Sequence, residues 1–61
     1  MTDETYNAII TAAQGATIDL TDKSTMFGFD TAAQARSFYR YVRGLGVYAR
    51  IDGATVYVYE A

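Results

Sequence analysis

The chain contains no cysteine, no histidine, no proline and no tryptophan. The first two absences exclude disulfide staples, thiolate metal sites and every mechanism that relies on an imidazole. A formal net charge of -2 argues against an avid phosphate-backbone binder. No apolar stretch approaches the roughly 18 residues of a membrane span, and no basic segment precedes an apolar one as in a signal peptide. The expectation is a cytoplasmic chain with no membrane partner and no cofactor.

What is present favours a globular fold. Of 61 residues, 51% are hydrophobic and 20% charged, without a low-complexity run, which fits a single domain over residues 1-61. A chain this short buries only about 60% of the surface that its unfolded form exposes, so its core is marginal.

Hydrophobic periodicity divides the chain into six elements. In TDETYNAIITAAQG, Tyr6, Ile9, Ile10 and Ala13 recur at helical spacing, while Glu4, Asn7 and Thr11 face away. Thr2 or Asp3 supplies the N-cap, Asp3 and Glu4 suit the positive end of the dipole, and Gly15 is the stop. The β-branched residues here leave a strand as the alternative. Residues 16-20 then alternate apolar and polar as a half-buried strand, and Thr21 to Ser24 read as a turn. A second strand runs from Thr25 to Phe29 with Phe27 and Phe29 on one face, and Gly28 marks a bulge or a close approach.

The next element is the best-defined helix. Asp30 or Thr31 caps it, Thr31 and Gln34 fit a capping box, and Gly44 or Gly46 ends it. Ala35, Phe38, Val42 and Leu45 form its apolar face, with Tyr39 and Tyr41 flanking it. Arg36, Arg40 and Arg43 form a narrow stripe on the opposite side. A terminal hairpin follows, in which Val47, Ala49 and Ile51 alternate with Tyr48, Arg50 and Asp52, and Ala54, Val56 and Val58 alternate with Thr55, Tyr57 and Tyr59. Asp52-Gly53 reads as a type I′ turn, which pairs Ile51 with Ala54, Ala49 with Val56 and Val47 with Val58. The same register sets Tyr48 opposite Tyr57 and Arg50 opposite Thr55. The fold class is α+β, a two-layer sandwich in the order αββαββ. Its sheet is four-stranded and mainly antiparallel, both helices lie on one face, and the chain from second to third strand forms a crossover.

Reactive groups are scarce. The seven carboxylates are Asp3, Glu4, Asp19, Asp22, Asp30, Asp52 and Glu60, and most have an ordinary reason to sit at a cap or turn. A domain of this size rarely encloses a cleft of several hundred Å3, and Gly44-Leu45-Gly46 lacks the third glycine of a phosphate loop. The expectation is a protein without enzymatic activity.

Binding features are richer. Tyr48, Tyr57 and Tyr59 project from the hairpin on the side away from the helices, beside Arg50, and form a candidate partner-binding face. Strand propensity alone also favours tyrosine there, and two such faces packed together would make a homodimer. Arg36, Arg40 and Arg43 are a second candidate patch for an acidic protein or a phosphate, with an ordinary solvated helix face as the plain alternative. Charge is uneven: residues 1-30 carry five acids against Lys23, net -4, while residues 31-61 carry four arginines against Asp52 and Glu60, net +2. Asp3, Glu4, Asp19 and Asp22 are few for a phosphate mimic. Single-stranded nucleic acid would stack on the tyrosines, but the arginine stripe is expected on the helix layer, away from them.

With FGFDTAAQARSFYRYV followed by the VYARIDGATVYVY hairpin, the chain resembles small phage-encoded α+β proteins, including anti-CRISPR inhibitors, in size, acidity and element order. The resemblance implies a stoichiometric inhibitor in a host cytoplasm. It would dock on a bacterial nucleoprotein complex, such as a CRISPR-Cas effector subunit, and block nucleic-acid binding or nuclease recruitment.

Overall fold

In the computed structural model, which describes residues 2-59, the first turn is set by Thr2. Its backbone is extended and its Oγ1 accepts from the Thr5 amide at 3.2 Å, capping helix α1 over Asp3–Ala12. The helix reading therefore holds for this segment, against the strand alternative. Ile9 and Ala13 are buried and Tyr6 and Ile10 half-buried, so α1 meets the core mainly through its C-terminal half. Gly15, with φ of 86°, turns the chain toward the sheet.

Strands β1 (Thr17–Leu20) and β2 (Ser24–Gly28) form the first hairpin. Thr21 clamps its turn: the Ser24 amide donates to Thr21 Oγ1 at 3.0 Å, and that hydroxyl donates to the Ser24 carbonyl at 2.9 Å. Gly28 corrects the expected bulge. It pairs with Thr17 on one side and Thr55 on the other in an unbroken register. A Cβ there would lie 3.7 Å from the Thr17 Cβ, an ordinary contact.

Helix α2 (Ala32–Gly44) begins with the expected capping box, the Thr31 amide donating to Gln34 Oε1 at 3.1 Å and the Gln34 amide to Thr31 Oγ1 at 3.2 Å. Gly46, at φ of 81°, ends it. Ala35, Phe38 and Val42 are buried, but Leu45 is 42% exposed. Leu45 is the C-cap, where the chain leaves the helical path, so the apolar stripe stops one member early.

Strands β3 (Ala49–Asp52) and β4 (Thr55–Tyr59) pair with Ala49 opposite Val58, Arg50 opposite Tyr57, Ile51 opposite Val56 and Asp52 opposite Thr55. The hairpin thus turns on Gly53-Ala54 rather than Asp52-Gly53. Gly53 has φ of 60° and, among the described residues, no non-glycine residue has positive φ, so glycine takes the one loop position that a Cβ disfavours. The slide moves each expected partner by two residues. Because side chains alternate with period two, every residue keeps its expected face.

The sheet order is β1-β2-β4-β3, with all neighbours antiparallel. β2 and β3 run parallel, and β4 fills the place between them. Phe27, Ala49, Val56 and Val58 of one sheet face pack with Ile9, Ala13, Ala35, Phe38 and Val42 of the helices. The Phe38 ring lies 4.8 Å from Phe27 and 5.1 Å from Phe29, joining the two layers. This is the two-layer α+β sandwich of the αββαββ order. No helix among the described residues is long and apolar enough to cross a membrane. Glu60, one of the seven carboxylates, lies outside the described residues.

Candidate functional site

The register builds the open face of the sheet row by row. One row runs Asp19, Met26, Tyr57, Arg50, from β1 to β3. The next runs Thr17, Gly28, Thr55, Asp52. At the other end, Ser24 pairs with Tyr59, whose amide donates to the Tyr48 carbonyl at 3.0 Å, extending that row across the sheet.

Tyr48, Tyr57, Tyr59 and Arg50 therefore share one face, as expected, although Arg50 is opposite Tyr57 rather than Thr55. The Tyr48 and Tyr59 rings are 5.2 Å apart and tilted by 46°, a favourable aromatic geometry. Tyr48 is 55% exposed, whereas Tyr57 and Tyr59 are half-buried among their neighbours.

The arginine stripe of Arg36, Arg40 and Arg43 stays exposed on α2, on the helix layer as expected. At its C-terminal end the Arg43 guanidinium lies 6.0 Å from the centroid of the Tyr48 ring. One arginine of the stripe therefore approaches the tyrosines. Arg43 is in the last turn of α2, and the short connection to Tyr48 brings the two side chains to the same end of the sheet. Met26 is the residue that sequence reasoning missed: its alternation with Phe27 already placed it on the open face, in the Tyr57 row.

A second feature is a cleft of about 740 Å3, open to solvent, between the first turns of α1 and the β1–β2 turn, lined by Tyr6, Leu20, Asp22, Thr25 and Tyr59 among others. It is a surface depression rather than an enclosed pocket, so it does not overturn the expectation for a domain of this size. Asp3 lines the cleft with Asp22, while Asp19 lies on β1. The hydrogen bonds between Thr21 and Ser24 there tie the turn itself. Among the described residues, no group of three or more His, Cys, Asp or Glu side chains could hold a metal ion.

Compared with protein-family models, curated proteins and solved structures, the chain matches none of them.

Proposed function

We propose that the chain is a non-enzymatic binding module whose open sheet face docks on a protein partner and acts by covering a surface of it. The observation that supports this reading is the gathering of Tyr48, Tyr57, Tyr59 and Arg50 on the sheet face opposite the helices, with Arg43 of α2 6.0 Å from the Tyr48 ring. Tyrosine and arginine supply large contact area and directional hydrogen bonds, and both are enriched where binding energy concentrates. The resemblance to anti-CRISPR inhibitors extends the proposal to a bacterial nucleoprotein complex, with nucleic-acid access or nuclease recruitment as the step blocked.

One observation favours a second reading. Arg50 lies beside Tyr57 on the open face, and Arg43 approaches Tyr48 from the end of α2. Some positive charge therefore lies near the stacking groups that a single-stranded nucleic-acid platform requires. The overall charge of -2 weighs against it. A tagged pull-down from bacterial lysate, with and without nuclease, separates the two. A stoichiometric protein partner that survives nuclease and is lost with Tyr57→Ala supports the proposal. Retention of the partner by a folded Tyr57→Ala protein refutes this face as the docking surface. Recovery only in the absence of nuclease transfers the function to nucleic acid. Arg40→Glu tests the outer arginines of α2 in the same way.

A further inference from the structure

The helix layer is one strand narrower than the sheet. Ile18 and Leu20 pair with Phe27 and Thr25, so they point to the helix-covered side, yet they are 41% and 76% exposed. α2 packs over β3 and β4, and α1 contributes Ile9 and Ala13 to the core, leaving β1 without comparable cover. β1 and β3 are also the two edges of the sheet, each paired on one side only.

We propose that the occupant of the β1 edge is the β3 edge of a second copy of this chain. In the sheet order, β1 and β3 are antiparallel, so a copy displaced along the sheet sets its β3 antiparallel to β1 with the helices on the same side. The existing rows then continue across the junction. Ile18 meets Ile51 of the second copy and Leu20 meets Ala49 on the helix side. Asp19 meets Arg50 and Thr17 meets Asp52 on the open side. Apolar residues oppose apolar ones and a carboxylate opposes a guanidinium, the cross-strand pairs that stabilise antiparallel sheets. The second copy's β3 also carries its own α2, which supplies the missing cover over Ile18 and Leu20.

The charge layout favours this pairing. Two β1 edges paired about Asp19 would set Asp19 against Asp19, and paired about Ile18 would set Asp19 against Thr17, so neither register gives the carboxylate a guanidinium. Two β3 edges, paired with Arg50 against Asp52, would leave Ile18 and Leu20 uncovered. The β1-to-β3 contact is heterologous, so it propagates into an open chain or ring rather than stopping at a dimer. It leaves Tyr48, Tyr57 and Tyr59 uncovered but engages Arg50 in the junction, and its test reads self-assembly of the purified chain rather than capture of a partner.

The test is sedimentation velocity and light scattering of the whole chain from micromolar to millimolar concentration. The expected result is a mass that grows past the dimer with concentration. Asp19→Arg and Arg50→Asp should each raise the concentration of half-assembly by at least about tenfold, and the double variant should restore it. Leu20→Lys, at a position already exposed in the monomer, should also abolish growth while circular dichroism shows the fold intact. A monomer at every concentration, a discrete dimer that never grows, or assembly indifferent to the single charge reversals would each overturn the proposal.

Discussion

Phe27 and Leu20 lie on the same side of neighbouring strands, and their alternation patterns make them equivalent core candidates. Their burial is opposite: Phe27 is fully buried and Leu20 is 76% exposed. Truncating a buried phenylalanine to alanine costs about 3–5 kcal/mol. A domain of this length has about 3–9 kcal/mol of total stability, at about 0.05–0.15 kcal/mol per residue. Phe27→Ala should therefore remove at least about a third of that stability, and at the lower end of the range all of it. Phe27→Leu, which mainly removes the ring contact with Phe38, should cost about 1 kcal/mol and remain measurable. Full burial of a leucine contributes about 1.5–3 kcal/mol, and Leu20 realises about a quarter of that, so Leu20→Ala should cost less than about 0.7 kcal/mol. Urea titrations at low protein concentration, followed by far-UV circular dichroism, would give the differences at a common m-value. Comparable costs for Phe27→Leu and Leu20→Ala would refute the argument, because they would mean that the helix layer reaches β1.

Other perturbations follow from the backbone and the caps. Gly28→Ala should stabilise by about 0.4–1 kcal/mol, since its register is regular and an added Cβ meets only ordinary contacts. Gly53→Ala should instead destabilise by about 1–2 kcal/mol, because φ of 60° is strained for any L side chain; thermal melts of the two variants moving in the same direction would contradict the hairpin geometry. Thr31→Ala removes one half of the capping box and should cost about 0.5–2 kcal/mol, whereas Thr31→Ser should keep most of it. A double-mutant cycle on Arg43 and Tyr48 should show a coupling of about 0.5 kcal/mol that changes little with salt; a zero coupling would mean that Arg43 does not engage Tyr48.

The caps and faces were legible in the sequence because they are local. Thr2, Thr31 with Gln34, and Gly46 act within a turn of the residues they cap, and a chemical signature that short survives any tertiary arrangement. Face assignment was equally robust. The terminal hairpin slid by two residues, yet Tyr57 stayed outside and Val56 inside, because parity is indifferent to an even shift. The three tyrosines of the candidate site followed directly from that parity.

Other features are long-range. The Asp52-Gly53 signal gave way to a Gly53-Ala54 turn, which sets Ile51 rather than Ala49 opposite Val56 and puts Gly53 at the loop position with positive φ. The insertion of β4 between β2 and β3, the approach of Arg43 to Tyr48, and the open cleft at α1 all depend on distances between elements that no local pattern encodes. Alternation in the sequence determined that Ile18 and Leu20 share a face with Phe27. Only the tertiary structure decided that they are uncovered, because α1 reaches the core through Ile9, with Ala13 just beyond it, and α2 packs over β3 and β4.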